Sequence, residues 1–536
     1  MPSKKKLEAE RLRKEAESLK YIEIGKSWIA EILFILMMCV QPMYFNHARY
    51  YYLTGHKYWF FLICVSSILC MVMGVYMIKL ILGHRFLPKK LPTVAEWAAL
   101  GYALITFISA LASPFAGEAD ADVWGGFYER HDGALTQFLY VAIFLIIANW
   151  YKPRMRDFGI FSIAASAISI MGLLQFYGVN VFNMYFGELE EIFRHGHYVL
   201  QFRSTLGNIM ALSTFVCITV LLCGFLFVRS KSKWSPVLIA GSALSFWMLI
   251  SAGAESGMVG ALGAVVLAIP FIVESREYIG RFLILVSSWA AAFTLQRLFY
   301  NCIILKADSA GRIVFYAVVT ITLLAVGLLL TVFWKKKAAS KEQDSDVSVK
   351  TPIKWKHGAI LLASVIILGI ASVEVIGRQA DENSTGFGEL FYQAREILHG
   401  NLEDEFGTMR VYIWRHALSV VPDYLLIGSG PDTFYFAFPE EAQRFYGETY
   451  DKAHNEYLQI LICQGIFGLL FYLTFLGTLF IKSIKKSFTN PILMASLAAF
   501  TGYGIQALFN ISTPIASQMM WVISGVMAIS LKQDQS

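Results

Sequence analysis

Apolar stretches of about twenty residues recur along almost the whole chain, separated by polar segments of very different lengths. A helix needs about 20 apolar residues to cross the hydrocarbon core. Read this way, the pattern predicts about fourteen membrane spans (12–14). Their approximate limits are 28–45, 59–83, 93–112, 134–151, 157–176, 208–228, 234–252, 256–273, 282–300, 313–334, 357–376, 457–480, 491–510 and 516–531. The expected fold class is an all-α polytopic membrane protein.

The polar gaps divide the chain further. Residues 1–27 are rich in Lys and Glu and read as a charged, solvated cytoplasmic segment. The first apolar run lacks a small-residue cleavage site and reads as an uncleaved span. Residues 28–334 then form an N-terminal transmembrane bundle. The polar, Ser- and Lys-rich stretch 335–356 reads as a flexible cytoplasmic linker. A single transmembrane helix follows at 357–376, then a large extracytoplasmic loop at 377–456 with short amphipathic helices. C-terminal transmembrane helices occupy 457–531, and 532–536 is a cytoplasmic tail. The gaps 113–133, 177–207 and 376–456 exceed ordinary turn length, and such loops are usually functional or disordered. Their Trp, Tyr, Phe and Arg argue for order.

Basic residues orient the chain. With the N-terminus in the cytoplasm, 31 of the 45 Lys and Arg fall on cytoplasmic segments, so both termini are inside a cytoplasmic (inner) membrane. The remaining 14 divide into eleven Arg and three Lys, whereas the cytoplasmic set holds 23 Lys and 8 Arg. Lys suffices as a topology signal, but a planar guanidinium fork suits phosphate or carboxylate. The extracytoplasmic face therefore reads either as an anion-binding surface or as one stitched by local salt bridges. Composition agrees with a lipid environment: 16% of residues are charged, against about 25% in a soluble domain. The net charge of +6 is accounted for by topology and calls for no nucleic-acid partner. Seven cysteines without a C-x-x-C pair, and none in the 376–455 loop, predict neither a disulfide framework nor a zinc ribbon.

Candidate chemistry gathers in the long loop. Thr408 can cap a helix starting at Met409 or Arg410. Val411, Trp414, Leu418 and Val421 then recur at helical spacing until Pro422 ends the pattern, which predicts an amphipathic helix at the membrane surface flanked by Arg410 and Arg415. Gly428-Ser429-Gly430-Pro431-Asp432 is a tight turn that could bring backbone N–H groups to an anion. His454 and Asn455 fall at the N-cap of the twelfth span. There the helix dipole favours an anion and holds a histidine neutral, ready to accept a proton. A purely capping histidine fits the same position. His195-Gly196-His197 lacks a carboxylate partner and is a weak metal signal. Glu31, Glu96, Glu255 and Glu374 lie in or beside spans, where a carboxylate is either functional or interfacial. No G-x-x-x-x-G-K-[ST], G-x-S-x-G or H-E-x-x-H occurs. A reaction outside the cytoplasm without ATP needs a self-activated donor.

The stretch from Arg410 through Leu470 resembles the signature region of the O-antigen ligase and O-antigen polymerase superfamily. It reads R-x-x-x-W-x-x-A-L, D-Y-L-L-I-G-S-G-P, F-x-F-P and H-N-E-Y-L-Q-x-x-x-x-x-G-I-F-G-L-L. Upstream, Arg130-His131-Asp132-Gly133 looks like that family's R-x-(D/E)-G segment, and Arg203-Ser204-Thr205-Leu206-Gly207-Asn208 like its R-x-x-x-(G)-N segment. The order holds over about residues 100–530. One departure stands out: Glu255 occupies the place where many relatives carry an Arg.

The resemblance implies a membrane glycosyltransferase of cell-envelope polysaccharide biosynthesis, acting on the extracytoplasmic face without cofactor or metal. Its partners would be a polyprenyl-diphosphate-linked glycan donor, a glycan, lipid or protein acceptor, and membrane lipid. It also implies roles. Arg410 and Arg203 would hold the pyrophosphate and stabilise its developing charge, with Arg130 assisting. His454 would accept or position the acceptor's proton. Asn208, Asn455 and Glu456 would support. A polysaccharide flippase or exporter can have as many spans, yet a transporter places its binding groups near the midplane with repeat symmetry. A structural partner of an envelope machine would not need an Arg-rich, His-containing interface.

Overall fold

The computed structural model describes residues 4–46, 53–84, 91–118, 120–127, 130–184, 204–298, 310–341, 355–381, 387–445 and 449–533. Within them a helix occupies each of the fourteen apolar segments, and no strand occurs. In chain order these are α1 (Lys4–Ile35, continued by a π-turn Leu36–Val40), α2 (Leu53–Ile81), α3 (Val94–Ala112), α4 (Ala134–Trp150), α5 (Met155–Phe176), α6 (Ile209–Arg229), α7 (Ser235–Ser251) and α8 (Glu255–Leu267). Then come α9 (Arg276–Leu298), α10 (Ala310–Lys341), α11 (Trp355–Gly377), α12 (Phe387–Leu398), α13 (Phe406–Val420), α14 (Glu456–Lys486), α15 (Pro491–Gln506) and α16 (Gln518–Gln533). Nine of the described helices are long and apolar enough to cross a membrane, and three shorter apolar helices stand at Ala134–Trp150, Ser235–Ser251 and Glu255–Leu267. Helix α8 ends at Leu267, and Pro270 stands in the first turn of a short helix, Ile269–Ile272, that follows it. Most of the expected linker, residues 342–354, lies outside the described residues.

Apolarity makes these helices, and small residues decide which ones pack. The most apolar window of α6 is entirely buried, and α7, α8 and α15 surround it. A Cβ on Gly260 of α8 would strike the Gly502 carbonyl of α15, so these backbones meet closely where neither residue has a side chain. At the other extreme, the window of α11 has no buried residue. It touches the bundle through Ile269–Ile272 and α8, and α12 folds back against its far end.

The interfacial carboxylates are paired. Glu96 closes a capping box with Thr93 at the start of α3 and also meets Asn149 and Lys532. Glu31 pairs with Arg154 and Arg156. Glu374 pairs with Arg378 and lies 2.9 Å from His399.

Candidate active site

The long loop builds a small core of its own. The first turn of α13 is a left-handed run, Gly407, Thr408 and Met409 at φ 64°, 60° and 66°. Regular helix therefore begins at Arg410, as expected, but Thr408 is not in the extended conformation of a capping residue and makes no cap bond. The face buried in the loop's own core takes in residues outside the apolar stripe, while Trp414 and Val421 of the stripe pack against it. Tyr412, Ile413 and Ala417 pack against Phe434, Phe438 and Ile462, whereas Leu418 is 56% exposed. The Tyr412 hydroxyl donates to the Ala442 carbonyl and the Trp414 indole to that of Ala453, and these bonds rotate the helix toward the loop.

The glycine turn has a different use from anion capture. Helix α14 breaks at Gly465, whose φ of 70° and ψ of −175° suit only glycine. The break frees carbonyls in the preceding turn. Ser429 N–H donates to Ile462 O at 2.8 Å and Gly430 N–H to Cys463 O at 3.0 Å, while Ile466 N–H donates to Leu425 O at 2.7 Å. The Ser429 and Gly430 N–H groups are thus engaged by α14 rather than offered to a ligand. A Cβ at Gly428 would strike the Cys463 backbone, and one at Gly465 the Leu426 backbone, so both positions require glycine.

A buried ionic cluster joins this loop to the α3–α4 loop. The Lys452 ammonium lies 2.6 Å from Asp432 Oδ1 and 3.0 Å from Asp132 Oδ2, and all three side chains are buried. Asp432 Oδ2 accepts the N–H groups of Phe127 and Asp132 at 2.9 and 3.1 Å. Burial pushes the Asp132 carboxyl up to about 7, with Asp432 adding to the rise against the pull of Lys452. For Lys452 burial works the other way, but two adjacent carboxylates outweigh it and keep the ammonium protonated. One residue earlier, Asp451 accepts from Arg130 Nε at 2.5 Å and Nη2 at 3.3 Å.

The cluster fixes the residues just after it. His454 sits at φ 49°, and its Nδ1 is buried without a hydrogen-bond partner. Asn455 caps α14, its Oδ1 accepting from Tyr457 N and Leu458 N at 3.1 Å each. Glu456 is buried and accepts from the hydroxyls of Tyr472 and Tyr503 at 2.5 and 2.7 Å. Burial and the Arg410 guanidinium hold the His454 imidazole down at about 4, with Arg130 and Lys452 helping and Asp451 opposing. The imidazole is therefore neutral near pH 7.

A cavity of about 640 Å³ opens beside it. Met210 at the start of α6, Glu255 and Ser256 at the start of α8, Arg410 at the start of α13, and Tyr450 and His454 ahead of α14 all line it. The Arg410 Nη1 donates to the Gly407 carbonyl at 2.5 Å, and its Nε has no partner. Burial lowers the Arg410 guanidinium from its usual range, and the nearby Glu255 charge partly offsets this. Two cationic or basic groups thus meet a space large enough for a charged headgroup.

The other candidates are placed differently. Arg203 lies outside the described residues, as do Arg194, His195 and His197. Arg130 is held by Asp451 and does not line the cavity. Asn208 caps α6 by accepting from Met210 N at 2.7 Å, which fixes one wall of the cavity. Among the described residues no three His, Cys, Asp or Glu side chains converge as a metal ion would need. The sequence reading missed Lys452, Asp432 and Asp451. The usable signal was Lys452, one of only three lysines on the Arg-rich face and adjacent to an acid.

Residues 308–473 match the family model O-Antigen ligase, a stretch that includes Arg410, the glycine turn and His454. This supports the resemblance to the O-antigen ligase and polymerase superfamily drawn from the sequence, and with it ligase- or polymerase-type glycan transfer. No curated protein matches the chain.

Proposed function

We propose that this protein transfers or polymerises glycan from a polyprenyl-diphosphate-linked donor, on the extracytoplasmic face of the cytoplasmic membrane, in the cavity between α6, α8, α13 and α14. The observation that carries the reading is the convergence of His454 and Arg410 on that one cavity. The topology expected from the basic residues, fourteen crossings with both termini cytoplasmic, puts the cavity outside. The loop 377–456 then forms half of the active site and the α6 and α8 starts form the other half.

In the proposed reaction the bond between the sugar's anomeric carbon and the diphosphate oxygen breaks. A bond from that carbon to the acceptor hydroxyl oxygen forms, and the hydroxyl proton passes to the neutral His454. Arg410 faces the charge that grows on the departing diphosphate. Arg203 is proposed as a further cation for it, while Arg130, held by Asp451, acts through the charge it places near His454. Asn208 caps α6, and Asn455 and Glu456 fix the start of α14 beside His454. The reaction needs no cofactor or metal. Partners are the lipid-linked donor, a glycan, lipid or protein acceptor, and the surrounding lipid.

The test is purified protein in lipid vesicles supplied with a polyprenyl-diphosphate oligosaccharide, with and without candidate acceptors. Longer glycans identify a polymerase, and glycan moved to another lipid or to protein identifies a ligase. Movement of donor between leaflets with no new glycosidic bond identifies a flippase or exporter and contradicts the proposal.

A further inference from the structure

We infer that Glu255 is a product-release residue, a fixed anion in the cavity that discriminates the donor's diphosphate diester from the diphosphate left after transfer. The inference rests on the reading of the cavity as a diphosphate site.

Glu255 begins α8, and its residue lines the same cavity as Arg410 and His454. Among the described residues its carboxylate closes no ion pair, with Arg410 or with any other cation, yet its charge acts on the Arg410 guanidinium. It is an exposed side chain facing the space a ligand would occupy. Its position has a second consequence. The start of a helix ordinarily favours an anion. At α8 the anion is built into the chain, so a ligand phosphate meets repulsion there and attraction at Arg410.

The reaction changes the ligand's charge. A diphosphate esterified at both ends has two ionised oxygens. When the sugar leaves with the acceptor oxygen, the diphosphate keeps the electron pair of the broken carbon–oxygen bond and is left with an unesterified terminal phosphate. That group carries up to one further negative charge near pH 7, its second ionisation lying near pH 6. A fixed carboxylate therefore repels the product more than the donor, and a cavity with Arg410 alone would hold the product more tightly. Glu255 trades some donor affinity for turnover.

The experiment measures binding to the full-length protein in detergent of two probes, P1,P2-dimethyl diphosphate for the donor end group and methyl diphosphate for the product end group. Wild type, Glu255→Gln, Glu255→Asp and Arg410→Ala are compared by calorimetry at pH 7.5. Glu255→Gln is expected to bind methyl diphosphate at least fivefold tighter, with a gain for dimethyl diphosphate no more than half as large. Glu255→Asp is expected to behave as wild type. Equal gains for both probes, or none, overturn the inference while leaving the diphosphate reading intact, provided that Arg410→Ala abolishes binding. Failure of wild type to bind either probe, or binding indifferent to Arg410→Ala, overturns that reading and this inference with it.

Discussion

Arg130 grips Asp451 through two nitrogens, at 2.5 and 3.3 Å, and so ties the α3–α4 loop to the segment that presents His454 three residues later. Both members act on the imidazole, but with opposite signs. Arg130 lowers the His454 pKa and Asp451 raises it. The pair is therefore an electrostatic setting as well as a mechanical tie.

A pH profile follows from this arrangement. The folded His454 titrates at about 4, below its ordinary value of 6.5. A group lowered in this way contributes stability that is present above the ordinary value and lost as pH falls through 4. Transfer activity should likewise persist below pH 6 and fall with an acid limb near 4. Arg130→Gln removes one cation and leaves Asp451 uncompensated, so its limb moves toward neutral pH. Initial rates between pH 3.5 and 8 measure both. A wild-type limb near 6.5, or a limb unmoved in Arg130→Gln, contradicts the account.

Lys452 carries a different kind of weight. Replacing it with Met leaves Asp132 and Asp432 buried without their shared cation, and removal of one partner from a buried ionic group costs about 3–5 kcal/mol. Thermal unfolding in detergent should show a clear fall in midpoint for Lys452→Met. The triple variant with Asp132→Asn and Asp432→Asn should recover a substantial part of it, since no uncompensated charge remains.

Gly465 should resist even alanine. Its backbone conformation costs a residue with a Cβ about 1–3 kcal/mol, before any contact with Leu426 is counted. Gly465→Ala is expected to displace the turn at 428–432 and to reduce both stability and transfer. Limited proteolysis should show new cleavage within 425–435. Alanine at Gly369, where a Cβ meets open space, is the control that should change neither.

These outcomes also mark how far sequence reading reaches. Apolar length located the helices, but it could not rank them. The best windows of α6 and α11 have mean hydropathies of 2.5 and 2.6, yet one is wholly buried and the other not at all. Lipid and protein interior are equally apolar, so hydropathy does not separate them, and close backbone packing at residues such as Gly260 and Gly502 does. Near the site, Asn455 was legible because a capping residue is a local signal, whereas regular helix starts at Arg410 after a left-handed run and not through the Thr408 cap. What the stripe did not show is the second apolar face of α13, Tyr412, Ile413 and Ala417, which packs into the loop's own core, because its partners Phe434, Phe438 and Ile462 come from later in the chain. Of the Lys452, Asp132 and Asp432 cluster only the unusual Lys452 carried a signal, and its pairing was not legible because the partners come from two loops far apart in sequence.

The central claim, glycosyl transfer at the His454 and Arg410 cavity, is tested most directly by the release of free polyprenyl diphosphate from a polyprenyl-diphosphate oligosaccharide in the presence of acceptor. Wild-type protein should release it in step with new glycosidic bonds. His454→Ala should slow both by about 10²–10⁴ while still binding donor, as expected for loss of a positioned base, and Arg410→Ala should lose donor binding as well. Unchanged release in both variants would contradict the account.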